Sequence, residues 1–294
     1  MSAVQSPEIT RAGVVGGGIM GSGIAEVCAR AGVDVVVLEA DQAAADRARE
    51  RIGRSVERAA SRGKLDRADA DATLARVLTT TDRDALADRE IVIEAIVENK
   101  QAKLDTFTML AAVTGEDAIL ASNTSSIPIV ELGVAAGDRG SHVLGLHFFN
   151  PVPVLRLVEV IPSLLTAPAV TARARAFAEE QLGKDPIDAP DRAGFTVNAL
   201  LIPYLLSAIR MFEQGLATAE DIDNGMVKGC AHPMGPLALA DLIGLDTVQG
   251  VAETLYAEHR EQLFAPPPLL QRLVSAGLLG RKSGRGIYDY GDRQ

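Results

Sequence analysis

From Ala12 to about Ile187, short apolar runs rich in Val and Ile alternate with Ala-rich stretches of helical character. That alternation predicts strand-helix units laid on a parallel sheet. The predicted strands are Ala12 to Val15, Val33 to Leu38, Ile91 to Ile96, Ala118 to Ser122, Val143 to Phe148 and Leu155 to Ile161. After Pro190 the pattern changes: Phe195 to Gln214, Thr218 to Gly229, Pro236 to Ala257 and Pro268 to Ala276 read as helices, with almost no strand signal. Thr218 followed by Asp221 resembles a capping box, which places Ala217 in a loop. The predicted architecture is α/β, a doubly wound parallel sheet over residues 1–189 and an all-helical domain over residues 190–294.

Composition narrows the classes of function. Hydrophobic residues make up 47% and charged residues 23% of the 294 residues, a soluble globular balance with room for two domains. A formal charge of −10 argues against nucleic acid or a membrane surface as partner, so an anionic ligand has to be met by a local basic patch. Cys28 and Cys230 are the only cysteines and have no metal-like spacing, so neither a disulfide framework nor a metal site is expected. The leading MSAVQSPEIT has no basic or apolar signal region, and cytoplasmic localisation is the expectation. The apolar stretch Ala199 to Ile209 is half the length of a membrane span and ends at Arg210, so it reads as a buried helix.

Gly16-Gly17-Gly18-Ile19-Met20-Gly21 fits G-x-G-x-x-G directly after the first predicted strand and opens a helix. In that setting Gly16 permits the tight turn, Gly18 lets backbone approach a pyrophosphate, and Gly21 lets helix pack on strand. The amides of Ile19 and Met20 at the helix start add donors and positive dipole, and the fold becomes Rossmann-like. The second strand ends in Glu39, about twenty residues on, where a carboxylate can accept from both ribose hydroxyls and repel a 2′-phosphate. The cofactor expected is NAD rather than NADP.

His147 and Glu159 lie on two strand-like segments separated by Asn150, Pro151 and Pro153, all turn residues. A pairing centred near Pro153 brings them opposite one another. A carboxylate beside an imidazole fixes its tautomer and stabilises its charged form, which suits a base taking a hydroxyl proton. Local sequence alone favours the other reading, since a lone histidine on an apolar strand is more often a satisfied core residue than a base.

Seven stretches carry a wider resemblance: GGGIMGSGIA (16–25), EAIVENKQAK (94–103), ASNTSS (121–126), GLHFFNPVPVLRLVEV (145–160), GFTVNALLIPYLLSAI (194–209), HPMGPLALADLIGLD (232–246) and GRKSGRGIYDY (280–290). In this order they resemble the short-chain L-3-hydroxyacyl-CoA dehydrogenase family, which includes 3-hydroxybutyryl-CoA dehydrogenases. The resemblance implies an NAD-dependent enzyme interconverting (S)-3-hydroxyacyl-CoA and 3-oxoacyl-CoA. It implies His147 as catalytic base and Glu159 as its partner, with Ser125 and Asn198 donating to the substrate oxygen. Glu98, Lys103, Ser125 and Asn150 fall at cofactor-contacting positions, and Ser55 and Arg62 at positions for CoA. Ser125 could instead cap a helix near Pro128, and Asn198 could cap or cross a buried helix. Two departures keep their charge: Glu39 stands where the family usually has Asp, and Arg62 where it often has Lys, with Lys64 close by.

Arg47, Arg51, Arg54, Arg58 and Arg62 recur at i+3 and i+4, so on a continuous helix they share a face opposite Ile52 and Val56. One reading is a solvated face ion-paired to Glu50 and Glu57. The other is a dock for CoA phosphates formed by Ser55, Arg58 and Arg62. His142, His232 and His259 read as surface or packing residues, and Arg281, Lys282 and Arg285 as a solvated glycine-rich loop. The apolar helices after residue 190 exceed what a small domain buries and suggest a homodimer through that domain. Two other functions fit the same fold: a dehydrogenase of a free hydroxy or sugar acid, and an NAD-binding protein without turnover.

Overall fold

The computed structural model describes residues 8–291 of the chain; the reading of the leading segment rests largely on residues 1–7, which lie outside them. Two compact units are formed, Met1–Asp191 and Arg192–Gln294.

In the first unit eight strands form one sheet in the order β3-β2-β1-β4-β5-β6-β7-β8. They are β1 (Arg11–Val15), β2 (Asp34–Leu38), β3 (Val77–Thr80), β4 (Ile91–Glu94), β5 (Ile119–Ser122), β6 (Val143–Phe148), β7 (Leu157–Pro162) and β8 (Asp185–Asp188). Pairing is parallel from β3 through β6, turns antiparallel between β6 and β7, and is parallel again between β7 and β8. The helices are α1 (Ile19–Arg30), α2 (Gln42–Ser61), α3 (Arg67–Ala75), α4 (Lys100–Val113), α5 (Ile129–Ala135) and α6 (Pro168–Ala176). Helices α1, α2 and α3 pack together, as do α4 and α5, and the unit is a Rossmann-like sheet with flanking helices. Central strands are buried along nearly their whole length, with Val14, Val37, Ile93, Ala121 and Leu146 at 0% exposure. That two-sided burial is why they show as apolar runs.

The two strands the apolar pattern misses are the two edges of the sheet. β3 buries only its first residue, and β8 (DPID) is exposed at both ends and contains Pro186. An edge strand has less to bury, and proline is tolerated where a ladder amide is dispensable. β4 is shorter than predicted because the Ile96 amide donates to the Glu94 side chain, 2.8 Å away, instead of continuing the ladder.

The second unit holds α7 (Val197–Glu213), α8 (Ala219–Gly229), α9 (Pro236–Ile243), α10 (Leu245–His259) and α11 (Pro268–Ser275). Ile202, Leu205, Leu206, Ile209, Leu237 and Leu255 share its core. Thr218 caps α8, its hydroxyl accepting from the Asp221 amide at 3.1 Å. The predicted continuous helix Pro236 to Ala257 is split: Gly244 takes φ +104°, which ends α9 and opens α10. Among the described residues no helix is long and apolar enough to cross a membrane.

Candidate active site

The glycine motif makes the turn from β1 into α1. Gly16 has φ +90° and donates its amide to the Leu38 carbonyl at 2.9 Å, tying the turn to the end of β2. A side chain at Gly21 would put its Cβ 1.8 Å from the Gly16 carbonyl oxygen, closer than its 3.2 Å approach to Val14 of β1. Gly21 is therefore demanded first by the turn itself and only then by helix-strand packing. Close helix approach falls on Gly17, whose Cβ would meet Ala48 of α2 at 2.3 Å. Gly18 has nothing within 4 Å of a built Cβ, so the protein itself leaves that side of the loop open. The amides of Ile19, Met20 and Gly21 in the first turn of α1 have no acceptor within the helix, the arrangement that suits a phosphate. Ile19 is 68% exposed at the lip of the loop, an apolar side chain that a bound ring system could cover. Glu39 follows β2, and its Oε1 accepts from the Gly17 amide at 2.6 Å. The carboxylate expected at the ribose thus also holds the glycine loop.

β6 and β7 form an antiparallel pair whose register sets His147 directly opposite Glu159, a pairing centred on residue 153. His147 Nδ1 lies 2.7 Å from Glu159 Oε2, with His147 at 7% and Glu159 at 0% exposure. A carboxylate accepts only, so Nδ1 carries the proton of this bond and Nε2 the lone pair of the neutral ring. The Phe149 ring stands against the imidazole at a centroid distance of 4.6 Å. The turn between the strands is held from β8's side by Lys184, whose Nζ donates to the carbonyls of Val152 at 2.5 Å and Leu155 at 2.8 Å. Burial, with Arg156 nearby, pushes the Lys184 ammonium below its ordinary value.

Ser125 sits in the loop between β5 and α5. The capping alternative for it does not hold: α5 begins at Ile129, and the amides of Ile129 and Val130 donate to the Asp191 carboxylate at 2.6 and 2.9 Å. Its own amide donates to Glu98 Oε1 at 3.1 Å, and the hydroxyls of Thr124 and Ser126 donate to the same oxygen. Glu98 is pushed up by burial, but the charge of Lys103 and these hydrogen bonds outweigh that and hold it below the usual carboxylate range. Lys103, expected as a cofactor contact, is 1% exposed, with Nζ 2.6 Å from Glu94 Oε1 and 3.2 Å from Glu98 Oε2. Glu94, fully buried, also takes the Ser122 hydroxyl at 2.6 Å. Sequence reasoning missed Glu94 and Lys184, since burial of a charge by residues distant in the chain leaves no local signal.

On α2, Ile52 and Val56 are buried as the periodicity requires. The helix stops at Ser61, so Arg62 is its C-cap rather than a fifth member of a continuous stripe. The predicted ion pairs hold in part: Arg54 lies 3.3 Å from Glu50, whereas Glu57 pairs with Arg67 at 2.7 Å. Arg51 turns inward and donates to the Gly17 carbonyl. A cavity of about 220 Å³ is lined by Ser22, Arg51, Ser55, Arg58 and Asn150, among others, and Arg62 lies outside that lining. Asn198 belongs to the other unit, as the second residue of α7, half-buried.

The family profile described as 3-hydroxyacyl-CoA dehydrogenase, NAD binding domain, matches residues 11–192, and the C-terminal domain profile matches residues 194–290. A 3-hydroxybutyryl-CoA dehydrogenase of Mycobacterium tuberculosis is 54% identical over 286 residues, covering 97% of this chain and 100% of that protein. A probable 3-hydroxybutyryl-CoA dehydrogenase of Deinococcus radiodurans is 46% identical, covering 95% and 99% respectively. The crystal structure of (S)-3-hydroxybutyryl-CoA dehydrogenase PaaH1 from Ralstonia eutropha superposes with a TM-score of 0.92 at 43% identity, covering 96% of this chain and 99% of that one.

Proposed function

This chain belongs to the 3-hydroxyacyl-CoA dehydrogenase family, and from that premise we propose that it interconverts (S)-3-hydroxyacyl-CoA and 3-oxoacyl-CoA with NAD, acting on short chains of the 3-hydroxybutyryl-CoA and acetoacetyl-CoA kind. The observation that carries this is the buried His147–Glu159 pair at 2.7 Å, an oriented base on the same sheet as a glycine loop fit for a dinucleotide. The fit rests on the open side of Gly18, the first-turn amides of α1 and the carboxylate of Glu39.

The chemistry that bound NAD supplies is acceptance of a hydride from C3 of the substrate. His147 takes the 3-hydroxyl proton on Nε2, while Glu159 holds the Nδ1 proton and so the ring's tautomer and direction. Ser125 donates to the same oxygen as it passes from alkoxide to carbonyl, and Asn198 is assigned as a second donor on its match to the family motif. In the reverse direction the imidazolium returns the proton. Glu98 orders the Ser125 loop, Lys103 acts behind it, and Glu39 accepts from ribose hydroxyls, with Asn150 in the lining of the cavity beside α2. Ser55 and Arg58 on the cavity wall, with Arg62 at the end of α2, receive the phosphates of CoA.

Steady-state NADH formation from (S)-3-hydroxybutyryl-CoA, set against longer thioesters and free 3-hydroxybutyrate, tests this reading. Turnover is expected to be fastest on the four-carbon thioester; preference for the free acid, or binding of NAD without turnover, would overturn it. We further assign the protein to the cytoplasm, checked by cell fractionation, and to a homodimer through its helical unit. There Leu200 and Met211 lie eleven residues apart on one face of α7, 72% and 44% exposed. Light scattering at the mass of a monomer would remove the dimer.

A further inference from the structure

The ladder between β5 and β6 ends early. It pairs Leu120 with Val143, Ala121 with Leu144 and Ser122 with Gly145, and stops two residues short of His147. Past that point the chain after β5 turns away as the loop carrying Ser125, while β6 runs on to Phe148. The bonds that order this loop face β4 and α4: Ser122 on Glu94, Thr124, Ser125 and Ser126 on Glu98, and the Asn123 amide on the Glu94 carbonyl at 2.8 Å. None of these fixes how far the loop stands from β6. One further bond does: the Phe148 amide donates to the side-chain oxygen of Asn123 at 2.8 Å. Its partner is a donor, so the atom there has to be the amide oxygen. Asn123 takes the place of a backbone carbonyl where the ladder has stopped, and it does so at the residue next to His147.

We propose that Asn123 is a positioning residue for the hydride-transfer reaction, its side-chain oxygen setting the separation between Ser125 and His147 by holding the Phe148 amide. The inference rests on the roles proposed above for Ser125 and His147. Both have to reach a single substrate oxygen, and a displacement of about 1 Å at such a site can cost on the order of 10²-fold in rate. A tie of one hydrogen bond between the two segments therefore acts on turnover more than on binding.

The test compares full-length Asn123→Ala and Asn123→Asp with wild type, Ser125→Ala and His147→Ala in steady-state oxidation of (S)-3-hydroxybutyryl-CoA, with the NADH Kd measured by fluorescence. Asn123→Ala is expected to lower kcat about 10- to 100-fold while KM and the NADH Kd stay within about threefold. Asn123→Asp keeps an acceptor of the same length and is expected to recover at least about tenfold of that loss. A purely structural asparagine would lower Tm without separating kcat from KM. A kcat for Asn123→Ala within about twofold of wild type overturns the inference, and so does a loss that Asn123→Asp does not relieve. Should Asn123→Ala not fold, Asn123→Ser, whose hydroxyl is too short to span the gap, replaces it. If Ser125→Ala and His147→Ala themselves turn over normally, it is the functional reading that fails; if they are impaired and Asn123→Ala is not, only the positioning role falls.

Discussion

The β6–β7 hairpin and the arginine face of α2 both set charged or chargeable groups close together, and they do so under opposite conditions. His147 and Glu159 are buried, 2.7 Å apart, and pinned by a strand register. Arg54 and Glu50 are 3.3 Å apart with about two-thirds of each side chain in water. Two unit charges 4 Å apart interact by roughly 4 kcal/mol at the effective dielectric of a protein and about 1 kcal/mol in water. Exposed pairs of the second kind contribute about 0.2–1 kcal/mol. The hairpin therefore spends its interaction on direction, fixing the orientation of the imidazole that the proposed mechanism uses as base. The helix face keeps its side chains solvated, and in the role proposed above its contribution would be affinity for an anion that arrives from outside. Arg51 is the exception on that face, since it turns in to the Gly17 carbonyl and serves the loop.

If that contrast is right, damage to the hairpin should appear in kcat and damage to the helix face in KM. The largest effect is expected for His147→Ala, with kcat down about 10²–10⁴-fold and NAD affinity near wild type by titration. Glu159→Gln should act in the same direction but more mildly, because the base remains while its orientation weakens; a kcat unchanged in both would dissolve the pair as a catalytic unit. Next in size is Glu39→Gln, which can still accept from the Gly17 amide but no longer repels a 2′-phosphate. The ratio of kcat/KM for NAD over NADP should narrow by about tenfold, some 1.4 kcal/mol, and an unmoved ratio would remove Glu39 from cofactor choice.

A smaller effect is expected on the helix face. Arg58→Ala combined with Arg62→Ala should raise KM for the CoA thioester several-fold with little change in kcat, and added salt should weaken substrate binding more in wild type than in the double variant. A pantetheine thioester should be used almost equally poorly by both; if KM and salt response do not move, the face is simply solvated. The smallest effect concerns acid stability. Lys103 and the loop hydroxyls hold folded Glu98 below the usual range, against about 4.3 for a free glutamate. A depressed folded value means the stabilisation is complete above the unfolded value and is lost as pH falls through the folded one. Tm measured from pH 7 down to pH 3 should therefore decline less steeply in Glu98→Gln than in wild type, from a lower starting point; parallel curves would contradict the assignment.

The same contrast explains what could be read in advance. Strands buried on both faces announced themselves, and so did α2, because its apolar positions Ile52 and Val56 keep helical spacing. The edges β3 and β8 did not, having little to bury. The break at Gly244 was hidden inside an apolar run that suits helix on either side. Of the site, the glycine turn and the His147–Glu159 pairing were legible because each depends on residues close in the chain. The enclosure of Lys103 was not legible, because its partner Glu94 sits on another element and only packing brings the two together.

By itself, the sequence determined the alternation of strands and helices, the glycine turn, and the facing of His147 and Glu159, all of them local, since spacing along a chain fixes which side chains share a face or a register. Tertiary structure alone decided that Glu39 holds the loop it was expected to serve, that Glu98 gathers the Ser125 loop, and that Asn123 bridges to Phe148 where the ladder ends. Those contacts join residues 22 to 28 positions apart on different elements, and which of many possible polar partners meet is settled only once the strands are stacked and the buried groups have to be satisfied.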